Sequence, residues 1–368
     1  MSTVGDLARC MDLIAPTRYA ADWDNVGLLV GSRSATLTRV LLCIDLTPPV
    51  YQEAKTLGVQ AILAYHPPIF KPVATVLEGS IAFDAVRDGI AIYSPHTALY
   101  AADGGTNDIL ADAVGITKGS ARVSLRPPVS QETHCKLVTF VAPDNVEKVA
   151  EAMFAAGAGK IGHYKECSFR TPGEGTFFGD PSESNPSVGQ AGRREMVSEI
   201  RVETLVSLKL LDKVLSAMRG AHTYETPAYD IVRLHGEPEH KGFGRMGPLD
   251  EPAPLSEVVD RLKVALAVKH LIVAGPLDRL VKTAAVGAGA TGDLLGDALR
   301  ARADLFVLGE MRHHDALRAV KANTSVVMTL HSNSERMMLS LLKERIRMAL
   351  DSVEVLLSAS DQDPFVVR

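Results

Sequence analysis

The chain has 368 residues, 46% hydrophobic and 23% charged, with a formal net charge of -5. That composition excludes a disordered chain, and at ~100–200 residues per domain the length provides for two or three domains with proper cores. No stretch reaches the ~18 apolar residues that span a bilayer, and Met1-Ser2-Thr3-Val4 lacks the basic flank and apolar run of a secretory signal, so the expected location is the cytoplasm. Mild acidity and scattered Lys and Arg argue against a nucleic-acid surface.

In the first third, short apolar runs alternate with amphipathic segments. Strands are predicted at Arg39 to Asp45, Ala61 to Tyr65 and Ile90 to Tyr93, and helices at Pro48 to Leu57, Ile81 to Asp88 and Gly104 to Val114. This alternation implies a largely parallel sheet with helices on both faces, because parallel strands need a crossover that returns the chain to the same edge.

The middle third reads differently. Strands are predicted at Leu137 to Val141, Lys165 to Phe169, Thr176 to Phe178, Ile200 to Ser207 and Tyr229 to Leu234, with helices at Val146 to Ala155 and Leu211 to Arg219. The order resembles a ferredoxin-like α+β unit, interrupted by a Gly-, Pro- and Ser-rich loop at Gly179 to Gly192. The segment His222 to Asp230 reads as a polar, aromatic turn and a candidate subunit contact.

The last third returns to the βα style. Strands are predicted at Leu271 to Ala274, Thr283 to Val286, Leu305 to Leu308, Ser325 to Leu330 and Val353 to Leu357, and helices at Asp293 to Ala301, His313 to Ala322 and Ser334 to Met348. The fold expected is a discontinuous α/β core, residues 1–130 and 237–368, with an α+β domain inserted at residues 131–236.

The cysteines, Cys10, Cys43, Cys135 and Cys167, are too scattered for a zinc-finger spacing and read as reduced core residues. The eleven histidines are more informative. In open α/β sheets ligand sites gather beyond the carboxyl ends of strands. His66, His96 and His331 each follow a predicted strand; any one alone reads as a structural, hydrogen-bonded histidine, but three at equivalent ends point to a site. Glu335 stands four residues after His331, on the same helix face, where an imidazole and a carboxylate can share a divalent cation. With His66 they form an N,O-donor set suited to zinc, iron or manganese. Glu310 follows a further strand end, as a proton-transfer group or a solvated helix-cap carboxylate. The Gly-rich run Val286 to Asp293 lacks the Lys-Ser or Lys-Thr of a Walker loop and reads as a packing turn.

Several motifs in order carry a resemblance: Trp23-Asp24-Asn25-Val26-Gly27-Leu28, Cys43-Ile44-Asp45-Leu46-Thr47, Tyr65-His66-Pro67-Pro68-Ile69-Phe70, Ser94-Pro95-His96-Thr97, Gly104-Gly105-Thr106-Asn107-Asp108, Gly309-Glu310 through Ala316, and His331 with Glu335. Over nearly the whole chain the sequence resembles the NIF-three-like proteins, also called GTP cyclohydrolase I type 2 homologues, in a long form whose insert is similar to PII-like and CutA-like domains. The resemblance implies a cytoplasmic homohexamer, a trimer of dimers, with a two-metal centre. Of the five ligand positions it implies, His66, His331 and Glu335 are kept, while Tyr65 and Tyr100 stand where a histidine and an aspartate are expected. A phenol with a pKa near 10 is a poor ligand at neutral pH. The expectation is therefore one weakly bound metal at His66, His331 and Glu335, with a complete two-metal centre absent or dependent on Asp103. Two functions follow: a metal-dependent hydrolase of a nucleotide or phosphorylated small molecule, with Glu310, His96 and His314 as candidates for proton transfer, or a non-catalytic regulatory or scaffolding hexamer with a vestigial metal site.

Overall fold

The structure is a computed structural model that describes residues 1–127, 134–234 and 242–366. Contacts divide the chain into two compact units, Met1–Pro128 with His240–Arg368, and Val129–Glu239. The boundaries expected near residues 130 and 236 lie outside the described residues.

The first unit begins with α1 (Val4–Ile14), which sequence reading overlooked although Thr3 and Asp6 form a reciprocal cap at its start. Then come β1 (Gly27–Val30), β2 (Arg39–Cys43), α2 (Pro48–Leu57), β3 (Ala61–Ala64), α3 (Ile81–Asp88) and β4 (Ala91–Ser94). Gly58 and Gly89 end α2 and α3 in the left-handed conformation (φ 63° and 68°), which places each next strand in register. The short α4 (His96–Ala101), α5 (Thr106–Val114) and β5 (Val123–Arg126) follow.

The second unit holds β6 (His134–Val141), α6 (Val146–Ala155), β7 (Ser168–Phe178), β8 (Arg194–Ser207), α7 (Leu211–Ala221) and β9 (Tyr229–Arg233). Its strands form one antiparallel sheet in the order β7-β8-β6-β9. The two strands predicted between Lys165 and Phe178 are in fact the single strand β7. Pro172-Gly173 reads as a break, but β7 is an edge strand, where a proline's missing N–H need not leave a ladder bond unmade. Helices α6 and α7 cover one face through Val149, Met153, Val214 and Met218.

The chain then completes the first unit with β10 (Phe243–Pro254), α8 (Leu255–Leu266), β11 (Ile272–Ala274), β12 (Leu280–Gly287), α9 (Leu295–Arg300), β13 (Leu305–Leu308), α10 (His313–Lys321), β14 (Ser325–Met328), α11 (Asn333–Ala349) and β15 (Glu354–Leu357). This unit has two sheets, ordered β1-β4-β3-β2-β15 and β11-β14-β13-β12-β10-β5. The first is parallel except for β1. The second corrects the expectation of a largely parallel sheet: only β12, β13 and β14 run parallel. Strand β10 was overlooked because its three prolines and two glycines read as a loop. Pro248 lies beyond the last pair with β5, so no ladder bond is needed on that side.

Alternation along the strands builds the layers. Val40 and Leu42 of β2, with Leu305 and Val307 of β13, enter a shared core with α1, α5, α8 and α11. Leu41 and Cys43 face the opposite side with α2, while Phe306 and Leu308 face α9 and α10. Among the described residues no helix is long and apolar enough to cross a membrane.

Candidate metal centre

The carboxyl ends of strands from both sheets of the first unit meet. His66 lies just past β3, where its backbone N–H donates to the Ile44 carbonyl at 3.0 Å. His331 follows β14, and its ring lies 5.2 Å from that of His66, centroid to centroid. Glu335, in the first turn of α11, is fully buried. One ring nitrogen from each histidine and a Glu335 carboxylate oxygen all lie within 4.8 Å of one another.

Each histidine is held from behind. His66 Nδ1 is 2.9 Å from Asp45 Oδ1, and His331 Nδ1 is 2.8 Å from Glu310 Oε1. Carboxylates in these positions accept a hydrogen bond from Nδ1–H and turn Nε2 toward the site, as in carboxylate-histidine-metal arrangements. Asp45 is itself anchored, since Asp361 accepts the Ile44 N–H at 2.7 Å and pairs with Arg336 of α11 at 2.9 Å. The His66 bond, against the opposing effect of burial, holds the Asp45 carboxyl below its ordinary range. Burial would push the His66 ring down, but the Asp45 and Glu335 carboxylates outweigh it and push the pKa up to about 10.

The Glu335 carboxylate is divided in function. Its Oε1 accepts the Tyr100 hydroxyl, whereas Oε2 is buried without a well-formed hydrogen bond; His66 Nε2 lies 3.3 Å away. Leaving a buried carboxylate oxygen uncompensated is costly. The orphaned oxygen and the two histidine nitrogens fit one divalent cation.

The same test fails for a second ion. Tyr65 donates to or accepts from Thr106 Oγ1 at 2.6 Å, Tyr100 bonds Glu335, and both phenols are pushed well above their ordinary value by burial and by the Glu335 charge. Asp103 does not replace them: it is an exposed turn residue between α4 and α5, outside the group of three.

His96 completes the ring cluster, 5.3 Å from the His66 ring. Its Nδ1 is 2.8 Å from Asp24, which also accepts the Thr97 N–H at 3.1 Å. The backbone here is strained, with φ 23° at His96 and 68° at Leu330, both non-glycine residues beside the site. Glu310 is exposed and acts on His331 alone among the histidines, while His314, exposed on the first turn of α10, stacks edge-on with His313 outside the cluster. Asp24 and Asp45 have roles that sequence reading did not assign, although both sit inside the motifs quoted above.

The Gly-rich run serves packing. The Ala288 and Gly289 N–H groups donate to Asn107 Oδ1 and Ser334 Oγ, each at 2.8 Å, so these two amides are not free for a phosphate. Gly289 has φ 71°, and a Cβ there would lie 2.4 Å from the Tyr100 hydroxyl, so glycine is what lets the turn close over the site. A cavity of about 320 Å³ adjoins the cluster, lined by Trp23, Phe70, His96, Tyr100, Arg126 and His331 among others.

Comparison with known proteins gives the family. The sequence pattern of Duf34/NIF3 (NGG1p interacting factor 3) matches residues 2–364. The chain belongs to the Duf34/NIF3 family. It is similar to a protein of Halalkalibacterium halodurans named GTP cyclohydrolase 1 type 2 homolog, 36% identical over 360 residues and 95% of each chain. A Bacillus subtilis protein of the same name is 31% identical over 367 residues, covering 98% of this chain and 97% of its own. Among solved Duf34/NIF3-like structures, a Bacillus cereus protein related to NIF3 superposes with a TM-score of 0.67 at 32% identity, over 100% of this chain and 99% of its own. A Staphylococcus aureus protein gives 0.76 at 25% identity, with the same coverage.

Proposed function

We propose that this Duf34/NIF3 protein is a single-metal hydrolase acting on a nucleotide or another phosphorylated small molecule, with the ion held by His66, His331 and Glu335. The observation that carries the reading is the fully buried Glu335 carboxylate, whose Oε2 makes no well-formed hydrogen bond and which lies within 4.8 Å of one ring nitrogen from each of two histidines held from behind by carboxylates. A divalent ion there supplies a Lewis acid and a water of lowered pKa.

The chain's own groups divide the remaining work. Asp45 and Glu310 orient the two ligand rings. Asp24 accepts a hydrogen bond from His96 Nδ1–H, which leaves Nε2 as a base beside the adjoining cavity. Tyr100 fixes one Glu335 oxygen and so directs the other. Exposed Trp23 and Phe70 rings, 5.9 Å apart, offer a face for a flat base. The name of the curated relatives, GTP cyclohydrolase 1 type 2 homolog, is consistent with a purine nucleotide.

A second reading, a non-catalytic regulatory hexamer, is favoured by one observation: the two phenols at the family's remaining ligand positions are buried and hydrogen-bonded rather than available. Elemental analysis of protein purified without chelator, followed by a nucleotide panel with zinc, manganese or iron restored, separates the two. The expected result is one metal per chain, lost in His331→Ala, with metal-dependent turnover. Metal-free protein with no turnover on restoration overturns the hydrolase reading. If Tyr100→Asp alone then gains a metal and activity, the second reading stands.

The remaining features of the proposal are a ferredoxin-like reading of the second unit, supported by its β7-β8-β6-β9 order and two helices on one face, and a cytoplasmic location, supported by four free cysteines. We also infer a homohexamer. It is supported by the exposed apolar side chains of Val73, Val76 and Leu77, three within five residues.

A further inference from the structure

The second unit has a cavity of its own, about 320 Å³, between the β7-β8 end of the sheet and the segment that follows α7. That volume is at the lower end for small-molecule sites. Its walls include Phe140, Phe177, Val197 and Tyr224, and its charged residues are Glu199 and Glu225, with no Lys, Arg or His among the lining.

The two carboxylates differ. Glu225 already accepts the Asn185 N–H at 2.9 Å. Glu199 makes no ion pair among the described residues. Its carboxylate lies against the backbone of Gly175 on β7, where a Cβ would come within 2.2 Å of Oε2. Glycine at that position is therefore what lets the charge lie across the strand. Beside it, the Tyr224 hydroxyl is buried with no well-formed hydrogen bond. Burial and the neighbouring Glu199 push that phenol up to about 12, so it remains a proton donor at neutral pH.

The nearest histidine does not neutralise the pair. His222 Nε2 donates to the Phe140 carbonyl at 3.0 Å and Nδ1 accepts the Tyr224 N–H at 3.0 Å, which requires the neutral ring. Burial lowers its pKa further. The loop from Gly179 to Gly192 is closed at its base, Gly192 N–H to Gly179 carbonyl at 2.8 Å, and supplies Ser184 and Val188 to the wall.

We propose that this cavity binds a small organic cation, an ammonium or amidinium carried on an apolar or aromatic body. Glu199 meets the charge, the rings of Phe140, Phe177 and Tyr224 meet the body, and cation-π attraction adds to both. A neutral ligand would leave the Glu199 charge uncompensated, and an anion would be repelled.

Benzamidine, with uncharged benzamide as its counterpart, tests this by isothermal titration calorimetry on the full chain. Benzamidine is expected to saturate one site per chain while benzamide does not. Glu199→Gln should weaken binding roughly tenfold or more, the usual effect of losing a charge-assisted bond. Gly175→Ala keeps the charge but displaces the carboxylate, and should do the same with the fold checked by thermal melting. His331→Ala, in the other unit, should bind as the parent does. Absence of saturable binding, equal binding of benzamide, an unchanged Glu199→Gln, or loss in His331→Ala each overturns the proposal.

Discussion

His66 shows how one side chain sets a condition on the whole site. Its ordinary pKa of 6.5 is pushed up to about 10 by two carboxylates that outweigh burial. The folded ring thus holds its proton more tightly than the unfolded chain does, so this group stabilises the metal-free protein fully below about 6.5, and that contribution is lost as pH rises toward about 10. Melting in chelator should show a Tm that falls across that window, and His66→Gln should flatten the slope. A metal must displace the same proton, so zinc affinity should rise with pH over the same interval, read by competition titration. The site was legible where its residues follow strand ends, as His66, His331 and Glu335 do. It was not legible where the chemistry depends on partners brought together only by folding: Asp45 lies 21 residues from His66, and Asp24 lies 72 residues from His96.

At the scale of elements, Arg245 of β10 joins the two halves of the core. It is buried, pairs with both oxygens of Asp108 on α5 at 3.0 Å, and donates to the carbonyls of Ala102 and Gly244. It thereby fixes the turn between α4, which carries Tyr100, and α5, which carries Thr106 and Asn107. Removing it leaves the Asp108 carboxylate with the longer Arg122 contact at 3.6 Å and strands the buried carbonyls it held. Arg245→Ala should lower unfolding free energy by about 3–5 kcal/mol in denaturant titration. It should weaken metal retention as well, because Asn107 accepts the Ala288 N–H and donates to the Tyr100 carbonyl. Nothing local in the sequence singles out Arg245; it lies in a proline-rich strand that reads as a loop. By contrast, α2 and α3 were predicted with their observed bounds, since a cap or proline opens each and glycine closes each.

For the whole molecule, the hexamer inferred above predicts a solution mass six times that of the chain by light scattering. A monomer at micromolar concentration would contradict it. Periodicity revealed the α/β character but not the division into two sheets, because strands in both read alike and only packing assigns them. The placement of β15 has a consequence for how the protein is made. β15 pairs in parallel with β2, and Arg39 meets Glu354 across 315 residues. Closing so distant a contact carries a chain-entropy cost and slows folding. During synthesis the five-stranded sheet therefore keeps one flank of β2 open until nearly the whole chain has been translated. The second unit, whose sheet pairs only its own strands, can form well before that. The Asp361 carboxylate that anchors Asp45 is synthesised later still, so the candidate metal site cannot gather its full set of partners before the chain has passed that residue.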